Sequence, residues 1–219
     1  MLVEFSVENY RSIKEKQTLS FVAANGDEHP DNVFVAGREN IRLLKTLLLY
    51  GPNASGKSNV LKALNDFIDF ISISNKYNIK ERIPFFAPFY YDEKTLTKPV
   101  SFSIEFIAND GVRYSYSIQF SIQEVIEEKL SYYPTGHENK LFYRVSGKDI
   151  DFGSSLKGDK KSIEKQLLPH HLFLSKAANS NHKQLQELYL NLCESHLFVF
   201  QIFEGIGNLS DTQNRIINN

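Results

Sequence analysis

The sequence predicts an α/β protein in which a strand–loop–helix unit near the N-terminus is followed by an antiparallel β lobe and a helical last third. Three observations carry this. The apolar run Thr46 to Tyr50 breaks at Gly51, and apolar residues resume as Leu61, Leu64, Ile68 and Ile71, at helical instead of strand spacing. Val100, Phe102, Ile104 and Phe106 alternate with polar residues, as do Val112, Tyr114, Tyr116, Ile118 and Phe120, and Asn109-Asp110-Gly111 lies between the two runs. Leu185, Leu188 and Leu192 fall on one stripe of a helix.

In chain order, Val3, Phe5 and Val7 alternate with Glu4, Ser6 and Glu8, which is strand periodicity. Gln17 to Ala23 is its expected hairpin partner, and Asn25 to Asn32 has loop chemistry. Thr46 to Tyr50 is continuously apolar, as expected of a strand buried on both faces. The residues after the glycines form the expected helix. "VIEEKLSYY" and "KLFYRVSG" add strands to the lobe, and "KKSIEKQL" and "HKQLQELYLNLCESH" are helices. "LFVFQIF" (197–203) reads as a buried strand. The expected divisions are 1–75 (hairpin and strand–loop–helix), 76–155 (antiparallel lobe) and 156–219 (helical segment).

Hydrophobic content of 42% and charged content of 23% are those of a globular chain, and net charge is -1, so no overall basic field draws in nucleic acid. DNA contact would have to come from a local patch. The single cysteine, Cys193, cannot form an internal disulfide, which fits a reducing compartment. Glu4 and Glu8 rule out a signal peptide, and no apolar run nears the roughly 18 residues of a membrane helix. The expectation is a soluble cytoplasmic protein without a membrane partner.

Gly51, Gly56, Lys57 and Ser58 satisfy G-x-x-x-x-G-K-[ST]. The loop Gly51, Pro52, Asn53, Ala54, Ser55, Gly56 must wrap a phosphate chain with its backbone N–H groups turned inward. The two glycines allow close approach. The helix that follows, through Lys57, Ser58 and Asn59, points unpaired N–H groups and its dipole at the anion. Lys57 supplies a point charge, and the Ser58 hydroxyl is placed to hold Mg²⁺. ATP and Mg²⁺ are therefore the expected ligands.

"GPNASGKSN", with Asn53 in its third position, resembles the loops of ABC-type ATPases of the SMC and RecF branch. "LVEFSVENYRSIKEKQTLSF" is similar to the opening of RecF-like, SMC-like and OLD-type ATPases: a strand, then Asn-aromatic-Arg/Lys-Ser, then a second strand. Of these, the OLD/RloA-like group of AAA-annotated ATPases gives the nearest overall impression. The resemblance implies a P-loop NTPase fold, the N-terminal portion of an ABC-type head with an antiparallel lobe. It implies nucleotide and magnesium contacts at Asn53, Lys57 and Ser58, with Arg11 and Ser12 beside the nucleotide. Arg11 is equally readable as a solvated charge in a hairpin loop. The resemblance further implies heads that dimerise around ATP, a homodimer or higher oligomer, and a gated effector, often a nuclease, in phage defence or DNA repair.

Hydrolysis in that group needs a second buried strand ending in Asp-Glu. "LFVFQIFEG" is the nearest stretch, but Gln201 interrupts it and Glu204 follows Phe203. "NLSDTQ" (208–213) begins like an LSGGQ signature but lacks the glycine. No catalytic residue is assigned. The missing parts are expected from a C-terminal half or a second subunit, with exposed apolar surface covered by self-association or a partner. A nucleotide-binding sensor or scaffold without turnover is the alternative, and a P-loop kinase a third.

The remaining constellations read as structural. His170 and His171 have no metal-site spacing. Asp66 and Asp69 belong to a solvated helix face, and Cys193 to core packing. The aromatics Tyr90, Tyr91, Phe102, Tyr114, Tyr116, Tyr132 and Tyr133 are better explained by sheet packing than by stacking on bases. The basic stretch Leu156 to Lys165 reads as a solvated loop, with DNA-phosphate contact as the alternative.

Overall fold

The structure, a computed structural model, describes residues 1–26 and 29–193. Its elements in order are β1 (Leu2–Glu8), β2 (Gln17–Ser20), β3 (Val33–Ala36), β4 (Ile41–Leu44), α1 (Lys57–Ile73), α2 (Glu93–Leu96), β5 (Val100–Ile107), β6 (Arg113–Phe120), β7 (Val125–Tyr133), β8 (Asn139–Val145), β9 (Asp151–Phe152), α3 (Lys161–Lys165), α4 (Phe173–Asn179) and α5 (Lys183–Cys193). A seven-stranded sheet runs β2-β1-β5-β6-β7-β8-β9, and β3 and β4 form a separate hairpin. Every strand pairing among the described residues is antiparallel. The fold class is α/β, as expected.

The alternation of the sequence becomes two faces of this sheet. Val100, Phe102, Ile104 and Phe106 are buried, and they pair across the Asp110-Gly111 turn with Phe120, Ile118, Tyr116 and Tyr114. Against this face lies α1, whose Ala63, Leu64, Phe67, Phe70 and Ile71 are all fully buried. Phe67 stacks on Tyr116 at 5.8 Å, and Phe70 meets Phe120 edge-on at 5.1 Å. Leu61 and Ile68, expected on that stripe, are only half-buried, because the helix is rotated to turn Phe67 and Phe70 inward. Leu185, Leu188 and Leu192 of α5 join the same core, with Cys193 packed at its edge. One cluster thus runs from Leu2 to Leu192, and β1 bonds directly to β5 of the lobe.

Two expectations are corrected. Thr46 to Tyr50 is not a buried strand: it has no strand assignment, and Leu48 is 83% and Tyr50 93% exposed. A strand exists only with a neighbour to share its backbone hydrogen bonds, and among the described residues none pairs with this segment. Tyr90 and Tyr91 lie off the sheet, highly exposed and edge-on to each other. The stretches 197–203 and 208–213, with Gln201 and Glu204, lie outside the described residues. Among the described residues, no helix is long and apolar enough to cross a membrane.

Candidate functional site

The glycine loop opens α1. Gly56 is the N-cap residue with φ 93°, a left-handed conformation that favours glycine, and a Cβ there would stand 3.4 Å from the Ser12 hydroxyl. Ala54 also adopts positive φ, at 65°. No side chain caps the helix. The Gly56 carbonyl accepts the amides of Asn59 and Val60, so the helix is already wound at its first turn. The Lys57 and Ser58 amides, at the helix start, have no intrahelical acceptor. The positive end of the helix dipole adds to them. Gly51, Pro52, Asn53, Ala54, Ser55 and Ser58 are exposed, so the concavity opens to solvent.

Lys57 arches back over the loop. Its Nζ donates to the carbonyls of Gly51 and Pro52, both at 2.8 Å, and reaches Ser55 Oγ at 3.4 Å. The ammonium therefore sits over the loop that its own residue closes. Donor amides, a dipole and a cation at one helix start form a fitting cradle for phosphate oxygens. The exposed Ser58 hydroxyl is the one metal-ligating side chain that the motif supplies.

The segment Asn9–Ser12 folds against this helix. Asn9 and Arg11 both take positive φ, 53° and 51°, and Tyr10 and Ile13 exchange backbone hydrogen bonds. Ser12 Oγ accepts from Asn59 Nδ2 at 2.7 Å, which ties the turn to the first turn of α1. Arg11 is exposed; its amide donates to the Ala87 carbonyl and its Nε to Tyr10 Oη. Tyr10 is fully buried and donates to Asp66 Oδ2. Burial and that carboxylate push its hydroxyl pKa up, so it stays a donor.

Asp66 is consequently not on a solvated face. It is only 8% exposed and is held by Tyr10 and by Lys62 at 2.9 Å. Sequence spacing placed it beside Asp69, but a partner 56 residues away, Tyr10, decides its role. Asn9, missed as a functional position, is 3% exposed: its Nδ2 donates to the carbonyls of Thr95, Lys98 and Pro99, and its Oδ1 accepts the Phe89 amide. Its place before the aromatic of the opening motif was the available signal. Among the described residues, no cluster of three His, Cys, Asp or Glu residues is arranged to hold a metal.

A family model described as "AAA domain, putative AbiEii toxin, Type IV TA system" matches residues 47–194, from the apolar run before the loop to just past α5. No curated protein matches the chain.

Proposed function

Because the chain belongs to this AAA-domain family, which is of nucleotide-binding ATPase type, we propose that it binds ATP with Mg²⁺ at Gly51–Asn59 and is half of a composite ATPase site. The observation that carries the reading is the placement of Lys57 Nζ over a loop whose helix start offers free amides. In this reading Lys57 holds the outer phosphates, and the Gly51–Ser58 backbone binds and orients them. Ser58 Oγ is a ligand of the metal, and Asn53 stands at the loop's rim. Bound Mg²⁺ would neutralise phosphate charge. Ser12, tied to the helix start through Asn59, and its neighbour Arg11 flank the nucleotide in this reading.

The other half of the site would come from a C-terminal half or a second subunit. The exposed Leu48 and Tyr50 favour this, since a strand-forming segment ahead of the loop waits for a neighbour. A homodimer or higher oligomer that closes around ATP follows, as in the SMC, RecF and OLD branch that the motifs resemble. A gated effector in phage defence or DNA repair is in keeping with that resemblance, and the family's description includes "putative AbiEii toxin".

The test pairs equilibrium ATP binding with a turnover assay on this chain and on Lys57→Ala. The composite-site reading expects binding in the wild type, loss in the variant, and turnover only when a second half is supplied. Failure of the wild type to bind would overturn the proposal, and full turnover by the isolated chain would overturn its composite nature.

A further inference from the structure

The fold brings the lysine-rich stretch Leu156–Lys165 against the start of α5, and together they wall a cavity of about 530 Å³. That is within the size range of small-ligand sites. None of its lining residues belongs to Gly51–Asn59 or to Asn9–Ser12. Between Leu156 and Gln184 six lysines stand against two acids, in a chain whose net charge is -1, so an anion is the ligand favoured here. Lys157 and Lys183 line the cavity and are exposed. Lys157 Nζ donates once, to the Ser154 carbonyl, leaving two protons. Asp159 is the acid on the wall, and its carboxylate is engaged by the Ser162 amide at 3.1 Å.

The decisive group is His182, which lines the cavity and is only 6% exposed. Its Nδ1 accepts the Leu185 amide at 3.4 Å, which leaves the proton of the neutral ring on Nε2. Nε2 has no hydrogen-bond partner among the described residues. Burial holds the His182 ring pKa below its ordinary value; the Lys157 backbone acts in the opposite sense without forming a hydrogen bond to Nε2. Nε2 faces Gly158, another wall residue, where an added Cβ would stand 3.2 Å away and where φ is +96°. Buried donors are nearly always paired, so an orphan in a basic cavity marks an absent acceptor. Beside it, the first amides of α5 have no intrahelical acceptor, and the helix dipole adds positive potential.

We propose that this cavity is a second anion site, separate from the glycine loop, which takes a phosphate group through His182 Nε2–H, the first-turn amides of α5, Lys157 and Lys183. Phosphate fits better than a carboxylate, because its additional oxygens and charge match this number of donors. The phosphate belongs either to a free phosphate or mononucleotide or to a nucleic-acid backbone.

The test uses the full chain carrying Lys57→Ala, which removes the cation of the glycine loop. The His182 ring resonance is followed by NMR during titration with inorganic phosphate, then with a short single-stranded oligonucleotide. A saturable shift is expected, with its midpoint weakened about tenfold or more by Lys157→Glu with Lys183→Glu. Both lysines are exposed, so the fold survives these changes. His182→Asn keeps a short acceptor for the Leu185 amide and should abolish binding measured by calorimetry. A tighter midpoint for the oligonucleotide supports a nucleic-acid source, and a tighter one for inorganic phosphate supports a free anion. A resonance that ignores both probes, or an unchanged midpoint in the double variant, overturns the proposal.

Discussion

Asn9, Tyr10, Arg11 and Ser12 do four different jobs within four positions. Asn9 anchors the 89–99 segment, Tyr10 satisfies a buried carboxylate, Arg11 stays in solvent, and Ser12 meets the first turn of α1. Tyr10→Phe keeps the ring packing and removes the hydrogen bond, leaving Asp66 with Lys62 alone. It should cost about 1–3 kcal/mol in chemical denaturation, the range for a buried acceptor that loses a partner. Asn9→Ala frees three carbonyls and an amide, and limited proteolysis should then cut the 89–99 segment faster. Lys57→Ala breaks only contacts to its own loop, so the unfolding midpoint should hold while nucleotide affinity falls. At this scale the glycine loop was legible because its chemistry is local: each residue's job is set by its neighbours in sequence. Asp66 was not, because the hydroxyl that engages it comes from the opposite end of the unit.

The helices are held by side chains of the sheet. Glu128 of β7 is fully buried, and its two oxygens accept the Phe173 and Leu174 amides and the Tyr116 hydroxyl. Arg144 of β8 stands 3.4 Å from it and donates to the Pro169 and His171 carbonyls. The start of α4 is thereby fixed to the sheet, and Ser175 of α4 donates in turn to Ile71 near the end of α1. Removing one partner leaves a buried charge uncompensated, so Glu128→Ala should cost about 3–5 kcal/mol, read in denaturant. Acid should also loosen these helices. Burial lowers the pKa values of His171 and His182 below 6.5, so below pH 6.5 the unfolded chain binds protons that the folded one resists. Stability is therefore present above pH 6.5 and lost as pH falls beneath it, a drop in melting temperature that His171→Gln should reduce. Strands β5 and β6 were legible from alternation and the Asp-Gly turn, which are local signals. The state of Thr46 to Tyr50 was not, since an apolar run specifies a strand only if a partner exists.

Across the described residues, one apolar cluster joins β1, α1, the lobe and α5, while Leu48, Leu49 and Tyr50 remain outside it. Exposed apolar side chains next to a ligand loop mark a surface for another chain or segment. Light scattering should detect self-association that grows with protein concentration, and Leu48→Lys with Tyr50→Lys should reduce it. A monomer indifferent to hydrophobic dye would oppose this. The central claim is that the Gly51–Asn59 loop and the start of α1 form a cradle for nucleotide phosphates. The most direct measurement follows the backbone amide resonances of Gly56, Lys57 and Ser58 during titration with ATP and magnesium. Large saturable shifts confined to the loop and the first turn of α1, absent in Lys57→Ala, are the predicted result. Amides that stay in place in the folded wild-type chain at millimolar nucleotide would contradict it.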